Sequence, residues 1–261
     1  MKTTITFSVI TVTYNAERCL RRTLDSVRAQ RYHDIEHLII DGASKDSTLA
    51  MAHDYAAKSK HKVVVMSEPD RGIYDAMNKG LRNATGDYII YMNAGDSFPK
   101  SDTLEHISRC ISDACQQTGS GELPAVMYGD TDWTDDCGIV IGHRNHKAPK
   151  RLTWKSFKQG MLVCHQAFYA RMDIARNIMY DLQYRHSADV DWCIRVMKEA
   201  ERRQLPMVNV QEVVAQYQRE GQTTANHKAS LLERFHIMRK HYGLLTTVMM
   251  HAWFVIRRVT G

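Results

Sequence analysis

The chain has 261 residues, 44% of them hydrophobic, enough to bury a sizeable core in one large domain or in a domain with a C-terminal extension. Its six cysteines (Cys19, Cys110, Cys115, Cys137, Cys164, Cys193) form no C-x-x-C pair and no regular spacing, which argues against a zinc site and a disulfide framework. Formal net charge is +6, of which +5 lies between Ala215 and Gly261, where seven Lys or Arg stand against two acids.

The amino terminus runs almost directly into an apolar strand, without the charged region, apolar stretch and cleavage site of a signal peptide, so a cytoplasmic protein with reduced thiols is expected. Phe7 to Tyr14 is β-branched and bounded by Asn15, and Glu17 to Ala29 follows with helical spacing at Leu20, Leu24 and Val27. Glu36 to Asp41 reads as a second strand, followed by Gly42 to Thr48 and a helix to about Ser59, with Asp46 or Ser47 as its N-cap. Val63 to Ser67 is a third strand, leading through Glu68-Pro69-Asp70-Arg71-Gly72 into a helix from Ile73 to about Asn83. The fourth, Tyr88 to Met92, ends in Asn93-Ala94-Gly95-Asp96, where Asp96 by itself would be read as a cap of the following turn.

Strands alternating with helices at this spacing imply right-handed crossovers and a mostly parallel sheet with helices on both faces. Polar residues then fall at four strand ends: Asn15, Asp41, Asp70 and Asp96. Acids gathered at the carboxyl edge of such a sheet repel unless a ligand joins them, and a metal diphosphate or ribose hydroxyls would do so. The dinucleotide fingerprint is absent, because the first turn reads Thr13-Tyr14-Asn15-Ala16-Glu17, and there is no P-loop. Phosphate charge must then be met by a divalent cation on a carboxylate.

Thr11 to Asn15, Ile40 to Thr48 and Met92 to Asp96 resemble successive motifs of family 2 glycosyltransferases with the GT-A fold. Ser67 to Gly80 is similar to the subgroup that includes colanic-acid-type exopolysaccharide glycosyltransferases. The resemblance covers residues 5 to 225. It implies an α/β GT-A fold, with a Rossmann-like mostly parallel sheet, a smaller antiparallel acceptor-side region and C-terminal helices. It also implies nucleotide-sugar contacts from Thr13, Asn15, Asp41, Asp70, Gly72, Asn78 and Asn93, with Mn²⁺ or Mg²⁺ and the donor diphosphate at Asp96. Asn93 and Gly95 stand where many relatives have acids, so fewer carboxylates hold that metal.

Asp102 to Gln117 is a further helix, and Ala125 to Asp130 and Ile139 to His143 flank the hairpin signal Asp135-Asp136-Cys137-Gly138. Arg144 to Gln159 is basic with Trp154 and Phe157 and reads as solvated surface, as do His143 and His146. Cys164 to Tyr169 is similar to the subgroup's His-Gln segment, which implies His165 and Gln166 on a strand at the acceptor or leaving-group side. Ser187 to Arg195 opens a helix to about Arg202, and the helix dipole alone would favour acids in its first turn. The segment also resembles the family's E-D-x-x-x-x-x-R motif, with Ala188 in place of the glutamate, which implies Asp189 as general base and Arg195 as a contact to acceptor or leaving group. One base and no second carboxylate nucleophile point to single displacement.

Met207 to Val210 and Val213 to Ala215 read as strands, and Arg219 to Thr224 resembles the subgroup's loop over the diphosphate. Lys228 to Tyr242 is an amphipathic helix with Leu231, Phe235, Met238 and Tyr242 on its packing stripe. Leu244 to Ile256 is too short to span a bilayer and ends in Arg257-Arg258, which suits either a helix at an anionic interface or one docked on protein. The division expected is a catalytic domain at 1–225 and a helical extension at 226–261. The resulting expectation is a transferase using a nucleotide-diphosphate sugar, a UDP-sugar favoured, with a glycan or lipid-linked acceptor at the inner face of the membrane. The alternative is a silent nucleotide-sugar-binding module. Nucleic acid is not expected as a partner, because aromatic residues are not interleaved with the basic tail.

Overall fold

Four apolar runs, Phe7–Thr13 (β1), Ile35–Asp41 (β2), Lys62–Ser67 (β3) and Tyr88–Tyr91 (β4), lie side by side in a computed structural model of the chain as a parallel ribbon in the order β3-β2-β1-β4. The structure describes residues 4–118, 121–218 and 227–260. The crossovers are the helices Leu20–Arg28 (α1), Thr48–Lys58 (α2) and Ile73–Asn83 (α3). Leu20, Leu24, Ala52 and Tyr55 of α1 and α2 cluster on Ile39 at one face, and α3 packs on the other. A helix can lie that close to the sheet because residue 80 is glycine, since a Cβ there would run into Ile10 Cγ2. Covered on both faces, β1 and β2 are buried along their whole length, as continuous apolar runs require.

Beyond β4 the sheet continues antiparallel. After Thr103–Thr118 (α4) come Val126–Thr134 (β5) and Val140–His143 (β6), a hairpin turning at Gly138, whose φ is 85°. Phe168–Arg171 (β7) inserts between β4 and β5, antiparallel to both. Met172–Ala175 (α5) and Ala188–Arg202 (α6) follow, and Met207–Gln218 (β8) then runs parallel to β5 as one strand rather than the two expected. Its pattern breaks because Gln211 has a φ of 59° and bulges where the register against β5 shifts. First-turn residues expected in α1 are absent from it because Glu17 clasps the neighbouring loop, its N–H donating to Asp46 and its carboxylate accepting from Ser47 N.

His227–Tyr242 (α7) and Leu244–Thr260 (α8) end the chain. Of the stripe expected on α7, Met238 is buried and Tyr242 packs against the core, but Leu231 is exposed, and Ser230 and Ile237 are buried beside Met238. The face meeting α6 has polar partners instead. Ser230 Oγ lies 3.0 Å from Ser187 Oγ, and Glu233 accepts hydrogen bonds from Arg185 N and His186 N. The wholly buried Asp191 accepts from Arg195 Nε, Lys240 Nζ and His241 Nε2 at 2.6, 3.1 and 2.8 Å. Burial would raise its carboxyl, but those three donors hold it well below the usual range.

Two buried polar groups lock the parallel half. His37 Nε2 donates to Thr11 Oγ1, which itself donates to Met92 O, and Tyr55 OH donates to His37 Nδ1. Burial pushes this imidazole down to about 3, so it is neutral and fixed in that tautomer. Glu36 accepts from Ser8 Oγ at 2.5 Å, Thr85 N and Oγ1, Gly86 N at 3.0 Å and Lys62 Nζ at 3.1 Å. Burial alone would push this carboxyl up, and the hydrogen bonds outweigh it, bringing it from 4.5 to about 2. A depressed folded value stabilises above the unfolded value and is lost as pH falls through the folded one. Glu36→Gln is therefore expected to cost ~3 kcal/mol at pH 7 in urea unfolding. The gap to wild type should close between pH 4.5 and about 2; a gap independent of pH would assign the loss to packing.

Candidate active site

The carboxyl ends of the parallel strands coincide, with Thr13 opposite Asp41 and Asp41 opposite Ser67, so the loops leaving them share one rim. At its outer part Tyr14 is exposed, and Gly42 lets it and Asp70 come together: a Cβ on Gly42 would lie 2.5 Å from Asp70 Oδ2 and 3.3 Å from Tyr14 Cδ2. The result is a flat ring beside a carboxylate. Asp70 Oδ1 accepts from Gly72 N at 2.8 Å, which sets the turn into α3, and Gly72 itself has a φ of 115°, a conformation that favours glycine. Asn15, φ 47°, is exposed and bridges to the next loop, accepting from Lys45 N and donating from its own N–H to Ser44 Oγ. Thr13 Oγ1 is buried with no hydrogen-bond partner at the base of this rim.

Deeper in, the loop after β4 meets two elements from the second half of the chain. The 3₁₀ turn His165–Ala167 precedes β7, so His165 and Gln166 stand on a tight turn and not on a strand as expected. That turn sends both side chains to acids. Gln166 Nε2 donates to Asp96 Oδ2 at 3.2 Å, and His165 Nδ1 donates to Asp189 Oδ2 at 3.2 Å. Asn93 closes the path between them, its N–H donating to Asp96 Oδ2 at 3.1 Å and its Nδ2 to His165 Nε2 at 3.2 Å. Tyr74 OH, from α3, donates to Asp189 Oδ1 at 3.1 Å.

The two acids differ in environment. Burial raises Asp96 to about 6, and the His165 charge, Gln166, Asn93 and Arg22 offset that only in part. It is a buried carboxylate short of countercharge. Burial also pushes Asp189 up, but the hydrogen bond and charge of His165, then Arg234 and Tyr74, outweigh it and hold the carboxyl below its usual range. Asp189 is therefore ionised at neutral pH and able to accept a proton.

Among the described residues no group of three or more His, Cys, Asp or Glu could hold a metal ion. One carboxylate nevertheless suits Mg²⁺ or Mn²⁺, which take substrate phosphates and water for the remaining positions. Asn93 Oδ1, buried and without a partner beside Asp96, is a second oxygen of the right kind. These atoms fit a hard cation that arrives with a diphosphate.

Three expected contacts are taken by the protein itself. Asp41 is fully buried, accepting from Ser44 N at 3.0 Å, Ser44 Oγ and Ser67 Oγ at 2.6 Å, so it shapes the loop beneath the rim. Asn78 exchanges both ends of its amide with the Tyr180 backbone, at 3.0 and 2.8 Å. Arg195 spends its guanidinium on Asp191 and on Met179 O. The reason is helical: Asp189 is six residues away, about 240° around the axis, whereas Asp191 is one turn away. Ser187 likewise sits at the N-cap without a side-chain cap, because its hydroxyl bonds Ser230. His143, read as a surface residue, pairs with Asp132 at 2.6 Å. The segment Arg219 to Thr224 lies outside the described residues. Tyr74 and Arg234 gave no signal in sequence, because their approach to Asp189 is set by packing between distant segments.

A parallel ribbon with acids on its carboxyl rim, continued by antiparallel strands that carry a second acid toward the first, is the architecture of a GT-A glycosyltransferase. The chain belongs to glycosyl transferase family 2, whose profile matches residues 8–174. It is similar to a PGL/p-HBAD biosynthesis glycosyltransferase of Mycobacterium bovis, 32% identical over 192 residues that cover 72% of this chain and 68% of that one. Among solved structures, S. aureus TarS 1-349 in complex with UDP-GlcNAc superposes with a TM-score of 0.69 at 17% identity, covering 96% of this chain and 72% of that one. The mannosyltransferase PcManGT from Pyrobaculum calidifontis, in complex with GDP-Man and Mn²⁺, gives 0.61 at 15% identity, covering 100% and 77%. At those identities the likeness to solved structures is one of fold.

Tyr74 holds Asp189 without facing the rim. Tyr74→Phe is expected to lower kcat about tenfold, the worth of one hydrogen bond to a charged group. The KM for donor should not change, as the donor rim does not include Tyr74. A raised donor KM with unchanged kcat would remove Tyr74 from the support of the base.

Proposed function

We propose that the protein transfers a sugar, with inversion, from a nucleoside-diphosphate sugar to a hydroxyl of a glycan or lipid-linked oligosaccharide in surface-polysaccharide synthesis of the exopolysaccharide type. The observation that carries this is the joining of Asp96 and Asp189, far apart in sequence, through the consecutive residues Gln166 and His165. The burial of Asp96 is offset only in part, which suits a metal diphosphate, and Asp189 is ionised, which suits it to accept a proton. In this reading the nucleoside lies on Tyr14, beside Asp70 and Asn15, with Thr13 Oγ1 hydrogen-bonding the donor and Asn93 Oδ1 coordinating its cation. An exposed ring and a carboxylate suit a base with an N–H, which uracil, thymine and guanine all carry, and UDP is the first to test because the fold neighbour TarS holds UDP-GlcNAc. Bound at Asp96 and Asn93, Mn²⁺ or Mg²⁺ would supply positive charge to the departing diphosphate. Asp189 takes the acceptor proton as the acceptor oxygen attacks the anomeric carbon and the bond to the diphosphate breaks. Tyr74 and His165 hold both its oxygens in place.

Release of UDP, GDP and TDP from their sugars is the direct test. One donor should be turned over only with Mn²⁺ or Mg²⁺, and Asp189→Asn should lose ~10²- to 10⁴-fold in rate while still binding that donor. Donor binding with no release, acceptors included, would make the protein a binding module, and no binding at all would remove the transferase reading.

An acceptor held in a membrane is supported by the C-terminal helix. Among the described residues no helix is long and apolar enough to cross a membrane. On α8, Leu244, Leu245, Val248, Met249, Trp253 and Ile256 are exposed, Leu245 by 76%, while Thr247 is buried on the other side. The exposed side is thus the apolar one. Exposed Lys147, Lys150, Arg151 and Lys155 belong to the adjoining segment, whose Trp154 stacks on Tyr242 at 5.5 Å. Apolar side chains beside cations suit the surface of an anionic bilayer. The protein is expected to co-sediment with phosphatidylglycerol vesicles, less with pure phosphatidylcholine, and to lose most of that binding in Leu245→Glu/Met249→Glu. Protein left in the supernatant with phosphatidylglycerol would assign the stripe to contact with protein.

A further inference from the structure

Helix α7 presents a cation to the base that the reaction scheme above leaves unused. Ser230 and Ile237 mark its packed face, and Arg234 lies one turn from each, on the same side. Ser230 and Glu233 bond residues 185–187, the segment that enters α6 immediately before Asp189. Arg234 therefore lies on the face of α7 that is turned toward the start of α6. Its charge bears on the Asp189 carboxylate.

The neighbouring acids are committed elsewhere. Glu233 caps the backbone of Arg185 and His186, Asp191 is shared by Arg195, Lys240 and His241, and Asp181 pairs with Lys240. Among the described residues Arg234 forms no hydrogen bond or ion pair, and its Nε is buried without a partner. A buried guanidinium N–H without an acceptor is destabilising unless a ligand supplies one. The planar fork matches phosphate oxygens in pairs.

We propose that Arg234 binds a phosphate group of the substrates, and so makes the C-terminal helix α7 part of the active site. This rests on the transferase reading above. The phosphate has two sources of the same chemistry: the diphosphate of the donor, or the phosphate linking a lipid to the acceptor glycan. A ligand there also takes up the positive charge that Arg234 otherwise directs at Asp189.

The test uses the full chain with Mn²⁺ and measures binding of UDP, GDP, uridine, guanosine, farnesyl diphosphate and farnesol to wild type, Arg234→Gln and Arg234→Lys. The expected result is a loss of about 10- to 100-fold in Arg234→Gln for one class of diphosphate, with its phosphate-free counterpart unaffected. Arg234→Lys should recover part of that loss, since it keeps the charge and lacks the fork. Loss confined to UDP or GDP assigns the donor diphosphate, and loss confined to farnesyl diphosphate assigns the acceptor phosphate. Equal diphosphate binding by wild type and both variants overturns the proposal while leaving the transferase reading intact. Wild type that binds neither class of diphosphate overturns both. If Arg234→Gln does not fold, as judged by its thermal midpoint, the comparison of wild type with Arg234→Lys decides by the same criterion.

Discussion

The site depends on one stack of aromatic rings beneath Asp189. Tyr180 lies 5.1 Å from Trp192 and 5.4 Å from Tyr74, both nearly parallel, and Tyr91 meets Tyr180 and Trp192 edge-on. These rings come from α3, β4, α6 and the segment before α6, so one packing event fixes the helix carrying Asp189 against the strand whose loop carries Asp96. Trp192 is buried with its Nε1 donating to Ile178 O, and Asn78 closes on the Tyr180 backbone. Rings with two rotatable bonds give a rigid floor at small entropic cost, although among the described residues the buried Tyr180 hydroxyl has no hydrogen-bond partner. Among these rings Tyr74 turns its hydroxyl to Asp189.

Above that floor the protein separates its acids by how completely it satisfies them. Glu36, Asp41 and Asp191 are buried and closed by several donors each, and they brace loops and helices. Asp96 is buried with two neutral donors, and the charges of His165 and Arg22 offset its burial only in part, whereas Asp189 accepts from Tyr74 and His165. A carboxylate that the fold has already satisfied has little to offer a ligand, whereas one left short of charge or with a transferable proton acceptor does. The same distinction separates the committed Arg195 from Arg234.

The C-terminal helices extend this logic beyond the sheet. α7 is held by polar contacts around Asp191 and Ser187, so its attachment is specific in register and close to the base. α8 then leaves its apolar side uncovered. In the reading proposed above, a surface held to the bilayer by α8 and a site reached from α7 present a lipid-linked acceptor to Asp189 from one side and leave the rim at Tyr14 and Asp70 to the soluble donor.

Local pattern determined the parallel half of this protein. Four apolar runs separated by helical periods permit only short right-handed crossovers, and these bring strand ends, and hence Asp70, Asn93 and Asp96, to one edge. Asp189 was legible only through the resemblance of its segment to the family motif, since residue type and spacing alone read its acids as favoured by the helix dipole. Tertiary structure decided which polar residues are available. Asp41, Asn78 and Arg195 have the side chains a nucleotide site needs, yet each is consumed by a partner from another segment, or from one turn along its own helix. Tyr74 bonds Asp189 from α3 and Arg234 bears on it electrostatically from α7, without any motif to announce them. Sequence spacing fixes where a side chain starts along an element, but its hydrogen-bond partners come from segments brought together only by packing, and those partners decide whether it braces the fold or meets the substrate.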